Sequence, residues 1–373
     1  MRLRTLSCWL ACLLAAASSA LAQTTDPLFA GWRFTPPSLG SRPGGMGGAF
    51  VAVADSVKAA VANPAGLTLI PISEIGVSSG RPWLGAGFGR QRFRVAGYVT
   101  EMDEARMDLP EATPGASGSV ESTVFEAGLA AGVQLHPRVR LGGSLAWTRL
   151  RLDGQRLVAA DGGQQEIAAS VDADEGQLHA TAGLLVILVG ANARALPSVR
   201  LGVDYQPGFD WSARVTDGAG VDEIAVRRPS LVSVGVAWRF TDRWSFAAQG
   251  DVIRYGEVVD ALHRNIGGAA AADFTLPNAV EPRFGTEFAA PLWCGCGIVR
   301  LRGGLHYRSP GTLLYEGADP VAARAFSRQS WRTVATLGAS IFAEHFANAL
   351  RLDLDSRNVF DGPELSFGIV WRF

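Results

Sequence analysis

Three small groups of residues in this 373-residue sequence have types that could do chemistry, and none of them completes a known pattern. His306 and Ser309 could supply a base and a nucleophile for hydrolysis, but no third partner is evident. Asp172 begins a stretch similar to a calcium loop, yet Gln177 replaces the turn glycine and Gly183 the final glutamate. The sequence therefore predicts a protein that is not an enzyme and that binds no metal ion and no cofactor.

Two cysteines, Cys294 and Cys296, form the third group. In an oxidising compartment such a pair either forms a strained local disulfide or remains as two free thiols, and the spacing leaves both alternatives open. Two thiols are too few for a structural zinc site, which has four ligands. We assign no redox function to the pair.

Arginines at alternating positions are the remaining residues with evident binding chemistry. A guanidinium group binds a carboxylate through two parallel hydrogen bonds, so these side chains either neutralise acidic residues on neighbouring strands or meet the carboxylate of a ligand. The candidates for binding a ligand carboxylate in the lumen are Arg92, Arg94, Arg300, Arg302 and Arg351. Charge neutralisation within the protein is the favoured interpretation.

The segments that carry these arginines alternate between apolar and polar residues with a period of two, which is typical of β-strands. The last segment, 363–373, has a continuous apolar face, made of Leu365, Phe367, Ile369, Trp371 and Phe373. In the preceding segment, 346–358, leucines alternate with Arg351, Asp353 and Asp355. A charged face of this density does not form the core of a soluble sandwich, whereas it suits the polar interior of a transmembrane barrel.

About fourteen such segments are predicted between residues 73 and 373, so the fold class is all-β, a transmembrane antiparallel β-barrel. Four of the predicted segments are 139–153, 175–188, 199–216 and 297–308. Twelve strands is the alternative count, because the first two segments, 73–79 and 82–89, are short and rich in glycine. A large soluble β-sandwich or propeller is the alternative fold. The terminal Phe373 resembles the signal read by the bacterial barrel-assembly machinery, which we expect as a partner during biogenesis.

Residues 1–22 have the features of a secretory signal peptide: Arg2 and Arg4, then an apolar run, then Ala-Leu-Ala before Gln23. Export combined with a barrel predicts the outer membrane of a Gram-negative bacterium. The 34 basic and 35 acidic residues nearly balance, which argues against a nucleic-acid partner.

Residues 23–72 do not alternate and precede the barrel. They contain a glycine-rich stretch at 40–48, the sequence A-F-V-A-V-A-D, a short helical spacer and N-P-A-G-L. Asp55 can cap the spacer helix, Pro64 ends it, and Asn63 can bond to the local backbone. We interpret the segment as an N-terminal hatch in the barrel lumen, with a motif formed by Asp55, Asn63, Pro64, Ala65 and Gly66.

These elements, directly after a signal peptide, resemble the FadL/TodX family of outer-membrane transporters for long-chain fatty acids and aromatic hydrocarbons. The family usually has a second acidic residue after Asp55, where this sequence has Ser56. The resemblance implies passive transport, a ligand pocket between hatch and wall, and sideways exit of an apolar ligand near the third strand. The alternatives are a PorV-like structural or secretion-associated barrel and a hydrophilic diffusion porin. Expected partners are a hydrophobic small molecule, outer-membrane lipid and lipopolysaccharide, and the barrel is expected to be a monomer.

Strand length predicts where the wall of the barrel is incomplete. A strand needs about 9 to 11 residues to cross the hydrocarbon layer, and the first two have only about seven and eight. Gly85, Gly87 and Gly89 also leave few side chains to seal the wall and permit bends that break strand pairing. We therefore expect a lateral opening at these glycines; the alternative is that the segment belongs to the hatch.

Overall fold

The computed structural model describes residues 39–80, 82–90, 92–108, 117–159, 165–190, 196–217, 220–266, 273–293, 297–345, 348–359 and 363–373. The predicted signal peptide, the hatch up to residue 38, Cys294 and Cys296 lie outside these ranges. Within the described ranges, no helix has both the length and the apolar character required to span a membrane.

The described chain forms short helices in the hatch and then a series of β-strands. The hatch contains α1 (Ser41–Gly45), α2 (Ala59–Ala62) and a 3-10 helix (Pro64–Leu69). The strands are β1 (Glu74–Ser78), β2 (Trp83–Arg90), β3 (Phe93–Asp108), β4 (Ser117–His136), β5 (Val139–Ala159), β6 (Gln165–Val189), β7 (Ser198–Gln206), β8 (Phe209–Asp217), β9 (Gly220–Arg228), β10 (Leu231–Arg239), β11 (Trp244–Ile253), β12 (Phe274–Thr275), β13 (Ala279–Pro291), β14 (Gly297–Arg308), β15 (Leu314–Tyr315), β16 (Arg332–His345), β17 (Asn348–Arg357) and β18 (Glu364–Arg372). Two further helices, α3 (Gly256–Ile266) and α4 (Pro320–Ala325), lie in loops.

Sixteen of the strands form one antiparallel sheet in the order β5-β4-β3-β2-β1-β18-β17-β16-β14-β13-β11-β10-β7-β6-β8-β9. The sheet closes on itself because β5 also pairs with β6. The β8–β9 hairpin extends from β6 outside this ring, which leaves fourteen strands in the closed barrel. The predicted fold class and the count of fourteen are therefore confirmed.

The two faces of the strands differ as the alternation predicts. On β14, Leu301 and Leu305 are 53% and 50% exposed on the outside, whereas Arg302 and His306 are 4% and 6% exposed and point into the lumen. Aromatic side chains are also exposed on the outside: Trp147, Trp238, Trp244, Tyr307, Trp331 and Trp371. An apolar exterior around a charged interior is the arrangement of a transmembrane barrel.

The first and last strands, β1 and β18, are neighbours, so both ends of the wall lie on one side of the barrel. In single-chain bacterial barrels this is the periplasmic side, and we call the opposite side the outer end. The short connections after β2, β4, β10 and β16 lie at the periplasmic end, and the long loops at the outer end. There Tyr255, Phe274, Leu313 and Phe326 form part of a buried apolar cluster beside α3 and α4.

The wall varies greatly in height around the barrel. β5 and β6 have 21 and 25 residues, far more than a bilayer requires. On the outside of β5, Leu145 and Trp147 are followed by the exposed Arg149, so the outer part of this wall stands above the membrane. In contrast, β1 has 5 residues and β2 has 8.

Candidate functional site

The hatch backbone lies directly against glycines of the barrel wall. At seven wall positions an added Cβ would come within 3 Å of a hatch atom, a distance that real Cβ atoms essentially never show; these positions are Gly132, Gly142, Gly183, Gly202, Gly235, Gly285 and Gly304. They lie on seven different strands. At Gly142 and Gly304 the nearest hatch atoms are the backbone nitrogens of Ala65 and Gly47, each 2.2 Å from the added atom. The hatch is therefore seated against much of the inner circumference.

The N-P-A-G part of the motif holds the hatch together and ties it to the wall. The Asn63 side-chain amide donates to the carbonyl of Val51 at 2.9 Å and to the carbonyl of Leu184 on β6 at 3.1 Å, and its oxygen accepts from the Ala65 N–H at 3.2 Å. Gly66 packs so closely that an added Cβ would lie 2.2 Å from the Ala54 carbonyl oxygen. These contacts explain why asparagine and glycine occupy these two positions.

The prediction that Asp55 caps the spacer helix is wrong. Lys58 occupies the N-cap position of α2, and no side chain there makes a capping hydrogen bond. Asp55 instead accepts a hydrogen bond from the Arg42 guanidinium in α1. The N–H of Val57 donates to the carboxylate of Glu74 on β1 at 2.8 Å, and the same carboxylate accepts from Arg372 of β18 at 2.8 Å. Sequence reasoning missed Glu74, which joins the hatch to both ends of the barrel wall.

A buried network of four guanidinium groups and four carboxylates connects the hatch to the wall. Arg42 of the hatch donates to Glu287 at 2.8 Å, and Glu287 also accepts from Arg302 at 2.9 Å. Arg302 lies 3.1 Å from Asp353, which also accepts from Arg351. The network comprises Arg42, Asp55, Glu287, Arg300, Arg302, Arg351, Asp353 and Asp355. The four positive and four negative charges of this network therefore compensate one another.

The hatch carboxylate of this network stays charged at ordinary pH. Burial would raise the pKa of Asp55, but the positive charges of Arg42 and Arg200 and the hydrogen bond from Arg42 lower it to about 2. A carboxylate whose pKa is lower in the folded than in the unfolded protein stabilises the fold at pH values above the unfolded pKa. This stabilisation is lost as the pH falls toward 2. The Arg42–Asp55 ion pair is consequently intact at neutral pH.

The five arginines proposed to meet a ligand carboxylate are not brought together. Arg300, Arg302 and Arg351 belong to the buried network, where protein carboxylates already bind them; the Arg300 side chain is the most open of the three, at 28% exposure. Arg94 is buried and donates to the Ile72 carbonyl at 2.9 Å. The expectation that Arg92 faces the lumen is wrong, because it is exposed in the turn between β2 and β3.

The glycines of β2 do not interrupt strand pairing, contrary to the expectation. β2 pairs with β3 at every position from Trp83 to Arg90, and Gly85 and Gly87 also pair with β1. A Cβ at Gly85 would lie 2.6 Å from the Trp83 ring, and one at Gly87 would lie 3.4 Å from Val57 of the hatch. Gly89, with φ +138°, lies close to the periplasmic turn. Gly85 and Gly87 thus leave room on the inner face of the wall for the Trp83 ring and for the hatch. An opening in the wall must therefore lie at another place.

The wall is instead incomplete beyond the outer tip of the β1–β2 hairpin. The last pairs of the ladder are Trp83 with Thr100 of β3 and Ser78 with Gly368 of β18, and backbone hydrogen bonds continue one residue further, from the Ser79 N–H to the Phe367 carbonyl and from the Glu101 N–H to the Pro82 carbonyl. Beyond this point β3 continues to Asp108, whereas β18 begins at Glu364, beside the hairpin turn. On this side the outer part of β3 pairs with no strand among the described residues, so the wall has a gap there.

Two features of β3 mark this gap. The pairing of β3 with β4 shifts register between Glu101 and Asp103, so Met102 forms a β-bulge just beyond the hairpin tip. Met102 is buried, in one apolar cluster with Trp83, Tyr98 and Val57 of the hatch. Met102 thus places an apolar side chain at the gap, in contact with the apolar part of the hatch.

Lys58, the one lysine of the sequence, lies behind the hairpin tip. Its ammonium group donates to the carbonyl of Leu39 at 2.7 Å and to the hydroxyl of Ser78 on β1 at 3.0 Å. It also lies 5.0 Å from the centroid of the Trp83 ring, a cation–π contact. Burial lowers the pKa of Lys58 to about 7. The side chain therefore couples the hatch to the hairpin.

We expect the seating of the hatch to strengthen as the pH rises from about 7 to about 10, by at most a factor of about ten per pH unit. The reason is that the released hatch, with an ordinary lysine pKa, binds more protons in this window than the seated hatch does. The rate of proteolytic cleavage of the hatch, normalised to an unfolded peptide of the same sequence, should therefore fall between pH 7 and pH 9. Lys58→Met should abolish the trend; an unchanged trend in that variant would assign it to another group.

The cavity between hatch and wall is too small for the ligand pocket that the family resemblance implies. It measures about 60 Å³ and is lined by hatch residues such as Phe50 and by Gln249 and Asp251 of the wall. Ligand pockets usually measure about 300 to 1,000 Å³. Two cavities of about 460 and 540 Å³ lie at the outer end instead. Around the described residues the outer mouth therefore offers more space for a ligand than this cavity between hatch and wall.

His306 and Ser309 do not form a nucleophile and base pair. His306 lies 2.7 Å from one carboxylate oxygen of Glu281, and the Ser309 hydroxyl donates to the other oxygen at 2.6 Å. Both residues thus bind the same carboxylate, whereas an activated serine would donate to the histidine. Among the residues described, no group of three His, Cys, Asp or Glu side chains is arranged to hold a metal ion.

Solved structures of channels share this fold over nearly the whole chain. A Pseudomonas aeruginosa FadL homologue has a TM-score of 0.62 at 12% identity, covering 91% of this chain and 98% of its own. The Pseudomonas putida toluene transporter TodX has a TM-score of 0.58 at 14% identity, and the match covers 91% of this chain and 99% of TodX. The CymD monoaromatic hydrocarbon channel has a TM-score of 0.57 at 15% identity, and the match covers 90% of this chain and 98% of CymD. Neither protein-family models nor curated proteins give a match.

The resemblance to the FadL/TodX family is thus confirmed at the level of the fold. An apolar exterior, a charged lumen and fourteen antiparallel strands are the features of outer-membrane barrels. The predicted location, the outer membrane of a Gram-negative bacterium, is confirmed.

Proposed function

We propose that this barrel carries hydrophobic small molecules, of the long-chain fatty acid or aromatic hydrocarbon class, passively across the outer membrane and releases them sideways through its wall. The observation that carries the proposal is the combination of a hatch seated on wall glycines and a wall that is incomplete beyond the β1–β2 hairpin. The hatch opposes axial passage, and an apolar molecule gains free energy by entering the bilayer directly.

The path begins in the apolar cavity at the outer mouth, where Leu276, Leu313 and Trp331 line about 540 Å³. It ends at the gap beside the Met102 bulge, where Met102 belongs to an apolar cluster with Trp83 and Tyr98. No step of this path requires a nucleotide, a cofactor or a catalytic residue. The names of the structural neighbours, a toluene transporter and a monoaromatic hydrocarbon channel, support this class of cargo.

The proposal differs in a measurable way from the two alternatives. A diffusion porin would show a steady water-filled conductance, and the seated hatch argues against one. A scaffold barrel would copurify with a stable protein partner. Mass spectrometry of ligands extracted from the purified barrel should find a hydrophobic compound; a barrel free of such ligands but bound to a protein would favour the scaffold.

Deleting Met102 should slow uptake at least severalfold while leaving binding at the outer mouth intact. The deletion removes the bulge, restores regular pairing of β3 with β4 and narrows the gap. Uptake of the extracted compound into liposomes that contain the variant would measure the effect. The matched control deletes Leu135, the bulge residue of β4 near the periplasmic turn. Equal uptake by both correctly assembled variants would reject the gap as the exit.

The remaining partners stay predictions of the proposal. The apolar exterior requires contact with membrane lipid, and lipopolysaccharide would surround the outer half of the barrel. Phe373 donates its N–H to the Ser73 carbonyl at 3.1 Å and packs against Phe88 and Trp371, so its ring is placed beside the first strands. We expect a monomer that depends on the barrel-assembly machinery.

A further inference from the structure

The second cavity at the outer mouth, of about 460 Å³, is lined by three arginines. Arg308, Arg332 and Arg357 lie at the outer ends of β14, β16 and β17. Among the lining residues Glu364 is the one carboxylate, and it lies 3.7 Å from Arg357. The described lining therefore carries two net positive charges.

Arg308 and Arg332 are direct partners on neighbouring strands. The alternation of β14 and β16 places both on the luminal face, in line with the buried His306 and Val334. Like charges directly opposite each other in a sheet are destabilising.

Other luminal arginines are neutralised by carboxylates of the protein. Arg302 and Arg351, for example, lie 3.1 and 2.9 Å from Asp353. Neither Arg308 nor Arg332 has an ion-pair partner in the described part of the chain. Because no described carboxylate neutralises Arg308 and Arg332, we expect an anion from outside the protein to bind between them.

The basic cavity adjoins the apolar one. The two share Ser309, Pro310, Gln329 and Ser330 as lining residues. The apolar cavity extends over the rim of the wall, from the buried Leu276 and Leu313 to the outer face, where Trp331 stacks on Tyr307 with ring centroids 4.9 Å apart. A ligand that fits both cavities has a charged head and an apolar tail.

We propose that the outer mouth binds an amphiphile with a phosphate head, held between Arg308 and Arg332, and with its tail in the adjoining cavity along Trp331. A phosphate monoester carries about −1.5 to −2 charges at pH 7, which matches the two net positive charges of the lining. A single carboxylate would leave part of this charge uncompensated. Guanidinium groups also present paired N–H donors that fit phosphate oxygens. The site goes beyond the proposed function, since it requires only binding at the mouth.

Binding to the full-length barrel in a nonionic detergent tests the proposal, with dodecyl phosphate, dodecanoate, dodecanol and inorganic phosphate as probes. We expect dodecyl phosphate to bind at least tenfold more tightly than each of the other three. The double variant Arg308→Gln/Arg332→Gln should lose at least tenfold in affinity for dodecyl phosphate. Trp331→Ala should lower the affinity for dodecyl phosphate and leave the affinity for inorganic phosphate unchanged.

The matched control is Arg254→Gln, an exposed arginine beyond the outer end of β11, which should bind dodecyl phosphate as the unsubstituted protein does. Heat-modifiable migration on gels verifies that each variant forms a barrel. Equal affinity for dodecyl phosphate and dodecanol, or an unchanged affinity in the double variant, would overturn the headgroup site. Equal affinity for dodecyl phosphate and inorganic phosphate would overturn the tail site. None of these results depends on uptake, so failure here is distinct from failure of the transport proposal.

Discussion

Replacing Gly142 by leucine should unseat the hatch and turn the closed barrel into an open pore. A Cβ at this position would lie 2.2 Å from the Ala65 nitrogen and 2.3 Å from the Pro64 carbonyl carbon. Both are backbone atoms of the 3-10 helix, which cannot rotate away as a side chain would. Because the wall is fixed by strand pairing on both sides, the hatch is the part that must move.

Single-channel recording in planar bilayers measures this effect. The unsubstituted barrel should show little conductance, and Gly142→Leu should show a steady open level. Gly250→Leu is the matched control, because nothing lies within 4 Å of a Cβ added there. A Gly142→Leu barrel that folds and remains as closed as the control would show that the hatch does not depend on this close contact.

Arg302→Met should lower the free energy of unfolding by about 3 to 5 kcal/mol, the usual cost of removing one partner from a buried ion pair. The Arg302 guanidinium forms ion pairs with Glu287, Asp353 and Asp355, and all four side chains are at most 7% exposed. Methionine has a similar shape but leaves these carboxylates buried with fewer partners. Urea unfolding of the barrel in detergent, followed by gel migration, measures the loss.

The exposed ion pair between Arg149 and Asp174 supplies the control for this experiment. Arg149→Met should leave unfolding nearly unchanged, because solvent screens charges at the surface. The free energy of unfolding of Arg302→Lys should lie between those of Arg302→Met and Arg149→Met, since lysine keeps the charge but lacks the paired donors. If Arg302→Met were as stable as Arg149→Met, the network would not hold the lumen together.

The alternation of the sequence predicts the membrane-crossing part of the wall well because lipid on one side and polar groups on the other impose it. The segment 297–308 coincides with β14. Where the wall rises above the bilayer, water replaces lipid and the alternation fades. For this reason β9, whose exposed residues include Asp222 and Glu223, was not predicted, and β5 and β6 extend beyond their predicted outer ends.

One predicted strand, 199–216, is divided in the structure. β7 ends at Gln206 and β8 begins at Phe209, with Pro207 and Gly208 between them. Proline cannot donate a hydrogen bond to a neighbouring strand, which explains why the strand is interrupted at this point. β8 then pairs with β6 and β9 in the hairpin above the ring.

The contacts between hatch and wall could not be read from the sequence, because they join residues far apart in the chain. Arg42 and Glu287 are separated by 245 positions. A signal for the seating of the hatch was nevertheless present. Glycines such as Gly202 and Gly235 stand on the polar face of alternating strands, where side chains that line a lumen would be expected. A small residue at such a position indicates close approach of another backbone.

The central claim, that cargo leaves sideways while the hatch stays in place, can be tested by fixing the hatch to the wall with disulfides. Val57→Cys with Gly87→Cys places two Cβ atoms 3.8 Å apart, the usual separation in a disulfide. Ser41→Cys with Gly368→Cys places two 3.0 Å apart, which a shift of about 0.5 Å brings into the disulfide range. The two bridges fix the hatch to β2 and β18 and leave the wall beyond the hairpin tip unchanged. Cys294 and Cys296 are replaced by serine in this background.

The measurement is uptake, into liposomes, of the hydrophobic compound extracted from the barrel, with the bridges oxidised and then reduced. We expect equal uptake in both states, because lateral exit does not require the hatch to leave. Uptake that is lost on oxidation and restored by a reductant would show that the cargo passes along the barrel axis, and it would contradict the account.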